Sequence, residues 1–283
     1  MTRIALENGR DSSKLIEVKP IAGGSINDAF YVRTEAAEYF MKHHPHSQKG
    51  FFKSEAIGLR LIKETGTISV PNYFSYSDSK GEAFLLMEWV SGEKTEKTDE
   101  LLGRNLAKLH QNFGPMHGFD NDTYIGILDQ PNKLNPNWLE YFRECRLSFH
   151  AKQAVNKGVL NGLRKEKMLK LIDQLDKWIP SFIEPSYLHG DLYNGNWLVG
   201  NAGEPFLVDP SFFYGDRHLE IAFTEVFGGF SKEFYDSYKE FFPLRDDYEE
   251  IKKIYQLYYL LAHLIMFGEE YGKKMDDILN YYV

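Results

Sequence analysis

Hydrophobic and polar positions follow two regimes along this chain, and the change falls near residue 91. Before it, short β-rich runs alternate with turn residues: Leu15-Ile16-Glu17-Val18, Ala29-Phe30-Tyr31-Val32, Tyr39-Phe40-Met41-Lys42, Phe74 to Tyr76 and Ala83 to Val90. The first two flank Gly23-Gly24-Ser25 and read as a hairpin. Residues 51–65 carry Glu55, Ile57, Leu61 and Ile62 and stop at Gly66, which predicts one short helix. After residue 91 the period becomes helical. Leu102, Leu106 and Leu109 share one face, with Thr98 expected as the cap. Trp138, Tyr141, Phe142, Cys145 and Phe149 form a second stripe, and Met168, Leu171, Ile172, Leu175, Trp178 and Ile179 a third. Residues 113–137 hold several Gly, Pro and Asn and read as a long irregular loop. The last forty residues are again helical. The pattern predicts an α+β protein with five strands and one helix in residues 1–90 and a larger, mostly helical part in residues 91–283, joined by the polar stretch Ser91 to Lys97 as a hinge.

Composition narrows the function classes. With 283 residues, 43% apolar and 26% charged, the chain can bury a sizeable core. The formal charge of −8 argues against a general nucleic-acid binder. The single Cys145 excludes an intrachain disulfide and a cysteine-based zinc site, and its place on an apolar stripe reads as a buried core thiol. The N-terminus has no signal-peptide pattern. The most apolar stretch, Tyr258 to Phe267, is half the roughly 20 residues a spanning helix needs. A soluble, cytoplasmic protein with no membrane partner is expected. His43, His44 and His46 match no helical zinc spacing and read as solvent-facing.

The chemistry concentrates between Tyr187 and Asp209. Trp197-Leu198-Val199 and Phe206-Leu207-Val208 are short strands around the turn Gly200 to Pro205. A hairpin there sets Asn196 beside Asp209, with Asp191 in the loop leading in. Two hard-oxygen side chains can hold Mg²⁺ on nucleotide phosphates, and a separate Asp can take the proton of an attacking hydroxyl. His189-Gly190-Asp191 followed by Asn196 has the His-x-Asp-x-x-x-x-Asn spacing of the kinase catalytic loop, with Asp209-Pro210 where protein kinases place Asp-Phe-Gly. A polar hairpin that only satisfies its own turns competes with this reading, but does not explain why three polar positions and two strands fall in register. The N-terminal part supplies matching pieces in the right order. Gly23, Gly24 and Ser25 can place backbone N–H groups over phosphates. Lys42 ends a strand and Glu55 lies on the next helix, the kinase arrangement for orienting ATP. Met87, Glu88, Trp89 and Val90 run from an apolar strand into the hinge, where backbone groups can meet an adenine edge.

His189-Gly190-Asp191, Asn196 and Asp209-Pro210 together resemble the aminoglycoside phosphotransferase and choline kinase group, a protein-kinase-like two-lobed fold. Gly118-Phe119, Tyr124-Ile125-Gly126, Gln130-Pro131-Asn132, Trp138, Phe142-Arg143-Glu144, Arg146-Leu147, Asp209 to Arg217 and Tyr255 through His263 to Gly268 resemble the fructosamine kinase (ketosamine 3-kinase) family. The resemblance implies ATP-dependent phosphorylation of the sugar 3-hydroxyl of a ketosamine, a small molecule or a glycated protein amine. It implies Asp191 as base, Asn196 and Asp209 as Mg²⁺ ligands, and Tyr193 and His263 facing the sugar. The sequence departs from the family pattern at Tyr193, Ala262, Pro131 and Glu220, all expected on the acceptor side. An aminoglycoside, choline or another amino alcohol as acceptor, or a catalytically silent nucleotide-binding protein, are the alternatives.

Overall fold

A computed structural model describes residues 1–22, 26–46 and 48–283. In chain order, α1 (Thr2–Asn8) precedes β1 (Leu15–Ile21), β2 (Asp28–Thr34), β3 (Glu38–His44), α2 (Phe51–Glu64), β4 (Tyr73–Ser77) and β5 (Ala83–Glu88). The five strands form one antiparallel sheet in the order β1-β2-β3-β5-β4. α2 buries Phe52, Glu55, Ala56, Leu59 and Ile62, whereas Ile57 and Leu61, named from the sequence, are only half-buried. The sequence reading of one helix in this region is corrected by α1. That helix is too short for a hydrophobic period, and it is held by burying Ala5 and Leu6 and by the Ser75 hydroxyl donating to the Ala5 carbonyl at 2.7 Å.

The remaining chain is mostly helical: α3 (Thr98–His110), the hairpin β6 (Thr123–Ile125) and β7 (Leu128–Gln130), α4 (Trp138–Tyr141), a π-helical segment (Phe142–Ser148), α5 (Phe149–Asn156), α6 (Gly162–Asp173), β8 (Ser186–Leu188), β9 (Trp197–Val199), β10 (Pro205–Leu207), β11 (Phe213–Gly215), α7 (Arg217–Thr224), α8 (Lys232–Phe241), α9 (Tyr248–Phe267) and α10 (Gly272–Tyr282). Among the described residues no helix is long and apolar enough to cross a membrane.

Several expectations change on contact with the structure. Thr98 does not cap α3; its hydroxyl donates to the Gly203 carbonyl at 2.7 Å, at the tip of the β9–β10 hairpin. The hinge segment is therefore pinned. A Cβ on Gly92 would lie 1.9 Å from the Gly200 carbonyl oxygen, so only glycine fits there. The 113–137 loop contains the β6–β7 hairpin and is tied to the core. The Arg146 guanidinium, fully buried, donates to the Pro131 carbonyl at 2.8 Å and to Asn132 Oδ1 at 2.6 Å, and sits 4.2 Å from the Phe213 ring centre. Gln130 donates to the Tyr258 hydroxyl at 2.8 Å. Cys145 is half-buried rather than buried. His43 and His44 are also half-buried, because β3 is an inner strand of the sheet; His44 packs its ring 5.5 Å from Phe51, and only His46 is exposed.

α3 lies directly against α8. A Cβ on Gly103 would stand 2.1 Å from the Phe234 carbonyl oxygen. Alanine is favoured over glycine in a helix by about 1 kcal/mol, but overpacking against backbone costs about 1–3 kcal/mol. Gly103→Ala is expected to lower the urea midpoint of unfolding; a raised midpoint would show that the two helices part without cost.

Candidate active site

The site is built where the sheet of residues 15–88 faces the β9–β10 hairpin, around a cavity of about 880 Å³. Register does the first part of the work. Leu207 pairs with Trp197, so Val208 falls opposite Asn196, and the Val208 N–H donates to the Asn196 carbonyl at 3.0 Å. Asn196 and Asp209 thus stand side by side at the open end of the ribbon. The Asn196 amide nitrogen donates to the Asp191 carbonyl at 2.7 Å and to its carboxylate at 3.1 Å, which draws Asp191 into the same corner. Asp209 has φ +60°, a left-handed conformation unusual outside glycine. Strain of this kind persists where surrounding contacts over-determine the residue.

Lys42 projects from β3 into this corner. Its ammonium contacts the Glu55 carboxylate at 2.7 Å and also pairs with Asp209. Burial disfavours the Lys42 charge, but Asp209 and Glu55 outweigh it and hold the group above its ordinary value. Burial, with Asp209 as a second carboxylate, pushes Glu55 up to about 7. Asp191 is raised well above the usual carboxylate range, first by burial and then by the Asp209 charge, while the Asn196 bond acts the other way. A carboxylate with raised proton affinity, recessed in a cleft, has the chemistry of a general base.

The turn that carries Asp191 is held from below. Gly190 has φ +88°, and a Cβ there would meet the Ser211 carbonyl oxygen at 2.1 Å. His189 bridges the two halves of the site: its Nε2–H donates to the Val208 carbonyl at 2.7 Å, leaving Nδ1 to accept the Asp191 N–H at 3.3 Å. Burial lowers its pKa, consistent with this neutral tautomer. Glu220, fully buried on α7, accepts the Gly190 N–H at 2.6 Å and the His189 N–H at 3.1 Å. It also accepts His110 Nε2–H at 2.8 Å, while His110 Nδ1 accepts the Tyr238 hydroxyl at 2.7 Å. Sequence reasoning noticed Glu220 only as a departure and placed it on the acceptor side. The structure places it beneath the Gly190–Asp191 turn, 29 residues after Asp191, at a separation no local pattern reports.

The other expected residues distribute as follows. Met87, Glu88, Trp89 and Val90 line one end of the cavity, and Tyr193 and His263 line its wall. Gly23, Gly24 and Ser25 lie outside the described residues. The sequence reading missed Phe227, Phe267, Glu270 and Tyr271, which also line the cavity. Among the described residues no group of three or more His, Cys, Asp or Glu side chains could by itself hold a metal ion.

This arrangement has relatives. The fructosamine kinase family model matches residues 2–283. The chain belongs to the fructosamine kinase family. A relative from Enterococcus faecium, provisionally named a ketoamine kinase, is 40% identical over 265 residues, covering 93% of this chain and 94% of that protein. A crystal structure from Haemophilus somnus, provisionally named a fructosamine-3-kinase, superimposes with TM-score 0.87 at 29% identity over 99% of this chain and 95% of that one. The choline kinase of Streptococcus pneumoniae shares the fold alone, with TM-score 0.64 at 15% identity over 100% of this chain and 99% of that one. As a fructosamine kinase family member, the chain has the protein-kinase-like fold expected from its sequence, and the family's activity is transfer of a phosphoryl group to a hydroxyl.

A raised Asp191 has a consequence for stability. Its folded pKa exceeds the ordinary 3.8, so the folded state binds the proton more tightly, and stability falls as pH rises from 3.8 through the folded value. The cost grows as the pH rises above 3.8 and is complete once the pH exceeds the folded value. Asp191→Asn is expected to melt higher than wild type near pH 8 while losing activity, with the gap narrowing as the pH is lowered towards about 4. Equal melting curves at both pH values would show that the carboxylate is not under charge stress.

Proposed function

We propose that this protein transfers the γ-phosphoryl group of ATP to the 3-hydroxyl of a ketosamine, with the nucleotide on residues 1–90 and the acceptor on residues 91–283. The observation that carries this reading is the convergence of Asp191, Asn196, Asp209 and the Lys42–Glu55 pair on one cavity. Asp191 orients the acceptor hydroxyl and takes its proton; its raised pKa matches that task. Lys42, held charged by Glu55 and Asp209, meets the nucleotide phosphates. The Val90 N–H makes no hydrogen bond among the described residues and is free to meet an adenine edge beside the Met87–Trp89 segment. Gly23, Gly24 and Ser25 complete the phosphate side in this proposal. Tyr193 and His263 face the sugar.

The donor set suits Mg²⁺. Asp209 offers a carboxylate, and Asn196, its amide nitrogen occupied by Asp191, offers its amide oxygen. Two hard oxygens from the protein leave the other positions to phosphates and water, the usual pattern for this ion. When bound, the ion would neutralise charge on the transferring phosphates. The protein's own contribution is position and electrostatics: a fixed base, a fixed cation and a recess that limits water.

Coupled ADP release with Mg-ATP and fructosyl-lysine, ribulosyl-lysine, choline or an aminoglycoside tests the reading. Ketosamine-dependent turnover is expected, and Asp191→Asn is expected to lose about 10²–10⁴-fold in kcat with the KM for ATP little changed. Lys42→Met is expected to lose activity as well, and EDTA to abolish it. Turnover confined to choline or the aminoglycoside would overturn the acceptor assignment. ATP binding without transfer to any of the four would overturn the catalytic one.

A further inference from the structure

One side of the cavity is lined by a group of rings and by the exposed carboxylate of Glu270. His263 and Phe267 lie one turn apart on α9 and share a face. The helix stops at Gly268, whose φ of +100° is open to glycine and strained for other residues. The reversal there brings Tyr271 back to within 5.1 Å of the His263 ring and 6.2 Å of Phe267. Phe227, between α7 and α8, completes the group at 4.7 Å from His263 and 6.2 Å from Tyr271. It also stands 6.2 Å from Tyr193, two residues after Asp191, so the rings continue to the catalytic turn.

Two polar groups give this surface a sign. His263 Nδ1 lies 2.8 Å from the Tyr259 carbonyl, which can only accept, so Nδ1 carries the hydrogen and neutral Nε2 is an acceptor. Burial lowers the His263 pKa and favours that neutral form. Glu270 lines the cavity and makes no ion pair or hydrogen bond among the described residues. Its neighbour Glu269 is engaged by Arg164 at 2.6 and 2.9 Å. Of the nearby cations, Arg164 pairs with Asp276 as well, Lys274 donates to the Val226 carbonyl at 2.7 Å and Lys157 to that of Ile265, while Lys273 is exposed and makes no ion pair with Glu270.

Aromatic faces, a carboxylate and a lone pair, with no protein cation among them, make a receptor for a ligand cation. A ketosamine differs from a plain ketose by one such group, a secondary amine protonated at neutral pH and carried on C1, two carbons along the chain from the carbon that bears the 3-hydroxyl. We propose that Phe227, Phe267, Tyr271 and Glu270 form the subsite for this ammonium group, with His263 Nε2 accepting its N–H. This rests on the phosphotransfer reading above and adds what selects the amine. Phe267 is 43% exposed, so the amine's substituent leaves past it towards solvent.

The test is steady-state kinetics on fructosyl-lysine and on an ether analogue with oxygen in place of the amine nitrogen. The variants are Glu270→Gln and Tyr271→Leu, with Glu270→Asp as the conservative control and melting curves to check folding. Wild type is expected to prefer the amine over the ether. Glu270→Gln is expected to raise KM for the amine about 5–30-fold with kcat nearly unchanged, and Tyr271→Leu by a similar factor. With Glu270→Gln, KM for ATP and for the ether should not move, and Glu270→Asp should restore most of the loss; Tyr271→Leu, which also removes a ring packed on His263, should raise KM more for the amine than for the ether. Equal rises for amine and ether, or no rise for either, would overturn the subsite and leave phosphotransfer standing. No turnover of either compound by wild type would overturn both.

Discussion

A carboxylate with no exposed surface can remain ionised only if its oxygens are fully engaged, and Glu220 is in that position. Burial works against its charge, yet bonds from His110 and the amides of His189 and Gly190 hold its pKa below the ordinary value. Charge-assisted bonds are about twice as strong as neutral ones, and removing partners from a buried ion is strongly destabilising. The carboxylate and the turn therefore fix each other. Gly190 can hold its left-handed conformation against Ser211 because its N–H is taken by Glu220 and its carbonyl by the Tyr259 hydroxyl at 3.1 Å. Asp191 is then the next residue, already aimed.

Above that turn the charge balance is deliberately poor. Among the described residues Lys42 is the one cation paired in the corner, and it faces Glu55 and Asp209 while Asp191 stands close by. Burial first, and that imbalance after it, raise the proton affinities of Glu55 and Asp191. The left-handed backbone at Asp209 adds to it. A cleft with surplus carboxylate is suited to a ligand that brings positive charge with its phosphates, and such sites trade stability for function. The buried network below, rather than the site itself, has to supply the rigidity.

That division explains what could be read from the sequence. The β9–β10 hairpin was legible because its strands and turn are local, and register alone brings Asn196 to Asp209. The sheet was legible from its alternating runs. Glu220 was not, because its partners come from α3 and from a turn some thirty residues earlier, and nothing in its neighbourhood marks it as a ligand of backbone. α1 was hidden by its length. The Gln130-Pro131-Asn132 and Arg146-Leu147 motifs carried family resemblance but no visible task. In three dimensions they meet: Tyr141 and Arg146 both donate to Asn132, and Gln130 reaches Tyr258. Their role is to fasten a long loop to the core.

α9 joins the two regimes. Its earlier turns belong to the scaffold: the Tyr255 hydroxyl accepts from Trp138 at 2.8 Å and donates to Asp216 at 2.5 Å, Tyr258 holds Gln130, and Tyr259 holds Gly190. Its last turn presents His263 and Phe267 to the cavity. Tyr259 and His263 are neighbours on one face and are bonded through the Tyr259 carbonyl, so this cavity wall is referenced to the Gly190–Asp191 turn by a single rigid helix. Changes at Tyr193 or beyond Gly268 can reshape the wall without moving that reference, whereas a change at Tyr259 would move both. Of the departures expected on the acceptor side, Tyr193 does line the cavity, whereas Ala262 is wholly buried in the core and does not.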